Sequence, residues 1–400
     1  MRIEIVGARS IPDSREKPTI ETTIRSGELE AKASVPSGKS TGAHEAKELR
    51  DEDGSVSTAL SNVTGEIAEA ISTREFASTK ELDAFLIELD GTPDKSRLGA
   101  NAILSVSISA TRLFALQAGV PLWRYLADIY GTTPSAPRLF VNVMNGGAHA
   151  GFRLPIQEHI FMVGESTATE SFATAERGFA ELGEMLKSET DDLQMGDEGG
   201  YSPAFTDFDK PFELLTKLVE KHSNTAIAID SAANELRNDH GGYTLIGKDY
   251  TSETLRKLYV DLVGKFPFHA VEDPFAETDD KSFTELTADI GKQVLVIGDD
   301  ITVTNPKRIE NAIEEKSMNA VLIKPNQIGS VSEAAEAVKK THSAGWATVC
   351  SHRSGETDDT FIADFAYGMG AHGIKAGGLG QKVRREKYER LCSIEKEVTI

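Results

Sequence analysis

The chain is 400 residues long, and 43 Lys and Arg against 63 Asp and Glu leave a formal net charge of −20. With 39% hydrophobic and 26% charged residues it has the mix of a soluble globular fold of more than one small domain, which excludes a disordered chain. The acidic balance excludes a nucleic-acid partner, which would need clustered Lys and Arg, and no apolar run approaches the roughly 18 residues of a membrane span.

Residues 1–25 are charged throughout, so no secretory signal is expected, and short strands are predicted at 3–6 and 19–24. Pro36-Ser37-Gly38-Lys39-Ser40-Thr41-Gly42 has the composition of a phosphate-binding loop without the GxxxxGK[ST] spacing, so it reads as a flexible lid. Residues 98–118 are apolar and helical in period, with Pro121 just beyond. Residues 128–138, with Gly131, Pro134 and Pro137, read as a linker.

Beyond it lies a strand-like run at 140–144. Six further apolar runs follow, each ending on a polar or charged residue: Asp230, Glu272, Asp299, Lys324, His352 and Lys375 close them. Helix-like segments such as 306–315 and 332–340 fill the intervals. Buried parallel strands read as continuous apolar runs, and this rhythm predicts an α/β fold, a TIM barrel with its site at the strand C-terminal ends. A doubly wound sheet shares the rhythm but would place its site at one switch point.

At a barrel mouth Asp230, Glu272 and Asp299 would repel one another, and an all-oxygen set suits Mg²⁺; each acid alone also fits a helix cap or a solvated loop. Lys324 closes an apolar run, and beside a metal its pKa would fall far enough for a general base; a snorkelling surface lysine has the same pattern. Lys375 repeats it. His352-Arg353-Ser354 offers a fork and a hydroxyl to a phosphate or carboxylate. Gly196-Asp197-Glu198-Gly199-Gly200 is a constrained acidic loop, and His149 lies in a glycine-rich loop nine residues before Glu158. Cys350 and Cys392 make no disulfide framework, so a reduced, cytoplasmic setting is expected.

From end to end these segments resemble the enolase family. The matching stretches are Asp13-Ser14-Arg15, the 36–42 lid with His44-Glu45-Ala46, Leu98-Gly99-Ala100-Asn101, Asn142-Val143-Met144-Asn145-Gly146-Gly147 and the 196–200 loop. Glu272-Asp273-Pro274-Phe275, residues 299–306, Lys324-Pro325-Asn326-Gln327 and Ser351-His352-Arg353-Ser354-Gly355-Glu356-Thr357 complete the series. The resemblance implies an N-terminal α+β lid-bearing domain at 1–127 and a C-terminal modified (β/α)8 barrel at 138–400. It implies reversible dehydration of 2-phosphoglycerate to phosphoenolpyruvate, with two Mg²⁺ ions per site. Asp230, Glu272 and Asp299 would hold the first ion and Ser40 would help hold the second. Lys324 would be the base and Glu198 the acid, with Glu158 beside it. His149, His352, Arg353, Ser354 and Lys375 would bind substrate. A homodimer or higher homo-oligomer is implied, and the analogy extends to a secondary cell-surface or secreted pool.

Departures from the pattern carry their own expectations. Lys39 replaces a small lid residue and is expected to point to solvent. Where the family has Thr-Gly-Ala-Pro and then Arg-Ser-Glu-Arg after the last lysine, this chain has Ala376-Gly377-Gly378-Leu379-Gly380-Gln381-Lys382-Val383-Arg384-Arg385-Glu386. The glycines there should loosen the loop, which leaves open a paralogue acting on a related 2-phospho or phosphono acid.

Overall fold

The structure is a computed structural model that describes residues 1–39 and 42–399. The chain begins with an antiparallel sheet of β1 (Glu4–Pro12), β2 (Pro18–Ser26) and β3 (Leu29–Ser34), in that order. Its β2–β3 turn rests on Gly27 at φ 59°, which costs glycine nothing. The helix Ala100–Ala118 packs across β2 and β3, and its buried serines are satisfied locally: Ser105 bonds the Thr22 hydroxyl at 2.7 Å and Ser109 donates to the Thr22 carbonyl at 3.0 Å. This helix ends at Gly119 in the left-handed region, and a second one, Leu122–Tyr130, ends the same way at Gly131. The irregular linker therefore starts at 131 rather than 128. Trp123, Leu126, Ala127 and Tyr130 bury one face of that second helix, and amphipathic packing carries it up to the glycine.

No single described helix is long and apolar enough to cross a membrane. The bent pair made by these two helices is apolar because the first is buried in the core.

The second domain holds β4 (Arg138–Asn145), β5 (Glu158–Val163), the hairpin β6 (Leu193–Met195) and β7 (Tyr201–Pro203), and β8 (Thr225–Asp230). A small hairpin of β9 (Tyr243–Leu245) and β10 (Lys248–Tyr250) follows. Next come β11 (Phe268–Glu272), β12 (Leu295–Gly298), β13 (Ala320–Ile323), β14 (Ala347–Ser351) and β15 (Gly373–Gly377). Eight of these close a barrel in the order β4-β5-β8-β11-β12-β13-β14-β15, with β15 pairing back to β4. All six apolar runs noted above are barrel strands. Phe140, Ile160, Met162, Ala228, Ala270, Ile297, Ala320, Leu322 and Val349 form a separate buried cluster on these strands, while the helices are packed into the larger core.

One strand breaks the parallel rule. β5 is antiparallel to both β4 and β8. Its first residue therefore lies where its neighbours end, and Glu158 pairs with Asn145 on one side and Asp230 on the other. The N-terminal domain docks on this end of the barrel. Ser37 and Gly355 form a two-way backbone bridge at 2.8 and 2.9 Å, and Arg112 pairs with Asp359 at 2.6 Å.

Candidate active site

Strand register builds the centre of the pocket. Asp230, at the end of β8, sits in register with Glu158 of β5 and Glu272 of β11. Lys375 comes from β15 across the barrel, and its Nζ donates to Glu158 Oε1 at 3.3 Å, Asp230 Oδ2 at 3.0 Å and both Glu272 oxygens at 2.8 Å. Burial alone would lower the pKa of this ammonium, but Asp230, Glu158 and Glu272 together hold it well above the usual lysine range.

Asp299 is bonded to a different lysine. Lys324 donates to its Oδ2, and Gln327 Nε2 donates to its Oδ1 at 2.9 Å. The acid oxygens gathered within 4.8 Å of one another belong to Asp273, Asp299 and Asp300, and a second such group is His149, Glu158 and Glu198. Asp230 and Glu272 thus bond Lys375 while Asp299 bonds Lys324, and Asp230 and Asp299 line the same pocket. Asp273 folds back on its neighbour strand, accepting from the backbone N–H of Asp299 at 2.7 Å and of Asp300 at 3.0 Å. Lys324 is held above its ordinary pKa: burial lowers it, and Asp299 more than offsets that.

Arg353 is buried and makes a two-pronged pair with Glu45 of the N-terminal domain, at 2.9 and 3.1 Å. Asn326 accepts from the same guanidinium at 3.0 Å. Ser354 lines the pocket beside it.

The loop between β6 and β7 brings Glu198 to the other wall. Its Oε2 lies 3.3 Å from His149 Nδ1 and accepts from Asn142 Nδ2 at 3.1 Å, and its Oε1 lies 3.9 Å from His352 Nε2. Burial pushes this carboxyl up, but His149, His352 and Arg384 outweigh burial and hold it well below the usual carboxylate range. Its neighbour Glu158 goes the other way, raised well above that range by burial and by Glu198. These opposite shifts favour a proton on Glu158 over one on Glu198.

Glycines 378 and 380 do the opposite of loosening. Gly378 N–H donates to the Glu198 carbonyl at 2.7 Å and Gly380 N–H to that of Gly199 at 3.0 Å. A Cβ on Gly378 would fall 2.3 Å from the Gly199 oxygen. Their lack of a side chain lets two backbones touch, so the segment clamps the Glu198 loop. Lys39 also departs from expectation: it reaches across to Asp197 Oδ2 at 2.8 Å and the Ala148 carbonyl at 3.0 Å. Ser40 lies outside the described residues.

The pocket suits a divalent cation. Glu158, Glu198, Asp230, Asp273, Asp299 and Asp300 line it, against the cationic side chains Lys324, Arg353 and Lys375. Burial and mutual repulsion raise Glu158, Glu272 and Asp273 well above their usual range and push Asp300 up to about 7. Glu158 Oε2 and Gln157 Oε1 are buried without a hydrogen-bond partner among the described residues. A set of buried carboxyl oxygens that repel one another once ionised is what Mg²⁺ accepts.

Sequence reasoning missed Glu45, Asp273, Asp300, Gln327 and Arg384 as members of this wall. Asp273 and Asp300 each follow an acid that was found, and that adjacency was the available signal.

Residues 3–126 match the family model described as "Enolase, N-terminal domain", and residues 134–400 match "Enolase, C-terminal TIM barrel domain". The chain is 41% identical to the enolase of Methanopyrus kandleri, over 99% of this chain and 96% of that protein. It is 40% identical to enolase B of Dictyostelium discoideum, over 100% and 95% of the two chains. The enolase of Acidothermus cellulolyticus is 43% identical, over 99% of this chain and 94% of its own.

Proposed function

We propose that this chain, which belongs to the enolase family, is a phosphopyruvate hydratase that interconverts 2-phosphoglycerate and phosphoenolpyruvate in glycolysis and gluconeogenesis. The observation that carries the reading is that Lys324 and Glu198 line one pocket whose carboxylates outnumber its cations.

In the proposed reaction Lys324 takes the proton from C2. The electron pair of that C–H bond moves into the carboxylate to give an enediolate, whose collapse forms the C2–C3 double bond as the C3–O bond breaks with its electrons on the leaving hydroxyl. Lys324 acts as a base once Asp299 is engaged elsewhere, because burial and the nearby Arg353 and Lys375 all favour its neutral form. Two Mg²⁺ ions, the first on Asp230, Glu272 and Asp299 and the second assisted by Ser40, would supply the positive charge that the enediolate requires. Lys375 adds an ammonium at the substrate carboxylate. Arg353 and Ser354 would hold the phosphate, with His149 and His352 packed around the leaving group. The proton stored on the Glu158–Glu198 pair passes through Glu198 to the departing hydroxyl, which leaves as water.

The clamped glycine segment supports the hydratase over a paralogue using another phospho or phosphono acid, since it orders the Glu198 loop. The test is the formation of phosphoenolpyruvate from 2-phosphoglycerate by purified protein with Mg²⁺, and its arrest by EDTA. Absence of turnover at saturating substrate and metal overturns the assignment.

A further inference from the structure

We propose that Arg384 is a positioning residue that fixes His352 as the neutral imidazole with its proton on Nε2, directed at Glu198. The proposal rests on the hydratase reading for its catalytic meaning, but its geometry stands alone. Arg384 is 0% exposed and comes from the last helix, Lys382–Thr399. One terminal nitrogen donates to His352 Nδ1 and, at 3.1 Å, to the Arg353 carbonyl. The other donates to the Ser354 carbonyl at 2.8 Å and the Asp197 carbonyl at 3.2 Å. Nε donates to Gln381 Oε1 at 2.7 Å, and Gln381 Nε2 in turn donates to the Asp197 carbonyl at 3.0 Å.

A guanidinium has only donors, so the nitrogen that faces it must offer a lone pair. Nδ1 of His352 is therefore bare, and in the neutral ring the proton sits on Nε2. That nitrogen is the one 3.9 Å from Glu198 Oε1. A second proton on the ring would place two cations in contact in a buried site that already holds Lys324 and Lys375 nearby. The same guanidinium ties the His352–Ser354 turn to the Asp197–Glu198 loop, so the imidazole and the carboxylate are set by one side chain.

Gly377 keeps the passage open. At φ 86° it already favours glycine, and a Cβ there would fall 2.3 Å from Arg384 Cδ and 3.0 Å from His352 Cε1. Arg384 has no carboxylate among its hydrogen-bond partners in the described residues, which leaves its charge acting on Glu198.

The experiment is imidazole ¹⁵N NMR on histidine-labelled protein with Mg²⁺, the His352 signals being identified by their loss in His352→Gln. Wild-type protein should show unprotonated Nδ1 and protonated Nε2. Protonated Nδ1, or a doubly protonated ring at neutral pH, overturns the proposal whether or not the Arg384 variants fold. In Arg384→Met the tautomer should become mixed and kcat should fall at least tenfold with KM within threefold. Arg384→Lys, which keeps a positive charge and donors only, should restore part of the Nε2–H signature. A folded Arg384→Met with an unchanged tautomer refutes the role. Failure of the hydratase reading would instead appear as missing turnover in wild type, with the tautomer as stated.

Discussion

Arg353 is held by Glu45 across the domain boundary in a pair whose side chains are 4% and 7% exposed. Removing one partner of such a pair strands a buried charge, at a cost of about 3 kcal/mol. Glu45→Ala should therefore lower the free energy of unfolding by that amount, read as a lower urea midpoint, and raise KM, because Arg353 loses the carboxylate that orients it. A midpoint within experimental scatter of wild type would show that the pair carries little. Lys324 presents the opposite case, in which chemistry outweighs stability. Lys324→Ala should reduce kcat by about 100-fold to 10,000-fold, the span of a lost general base, with the circular-dichroism spectrum unchanged. Activity close to wild type would remove Lys324 from the role.

Elements show why some of this was legible and some was not. The buried strands β8 and β11 to β15 read directly from continuous apolar runs, because both faces are covered. The reversed direction of β5 leaves no trace in composition. It emerges only from the register that seats Glu158 against Asp230. Glu45 and Arg353 are more than 300 residues apart in the chain, and nothing local in either marks the other. The helix Ala168–Glu189 meets β5 through Gly178, where a Cβ would fall 2.5 Å from the Phe161 ring. Gly178→Ala should cost about 1–3 kcal/mol by overpacking despite its better helix propensity, read as a lower urea midpoint. The lid contact is weaker. Lys39 and Asp197 are 41% and 44% exposed, so their pair contributes at most about 1 kcal/mol. Lys39→Ala should raise KM by no more than about fivefold, and added salt should shrink the difference. A larger effect that persists in salt would assign Lys39 to substrate instead.

At the scale of the whole molecule, the charge of −20 hides an uneven distribution. Carboxyls that are raised in the folded state contribute stability at low pH and lose it as pH rises toward their folded values. Asp300, moving from 3.8 to about 7, places that window between about pH 4 and 7, and Glu158, Glu272 and Asp273 shift in the same direction. A cation that binds the ionised form restores the loss, by about 4 kcal/mol at 1,000 times its Kd. The rise in Tm on adding Mg²⁺ to EDTA-treated protein should thus be larger at pH 8 than at pH 5.5. An equal rise at both would place the metal away from these acids. The ring of three carboxylates around Lys375 bears on the order of assembly. With its own ammonium among those acids, the barrel can close before any metal arrives. Folding and loading are then separate events: the chain should regain its secondary structure from urea in the presence of chelator. Metal supply would govern how fast it works rather than whether it exists.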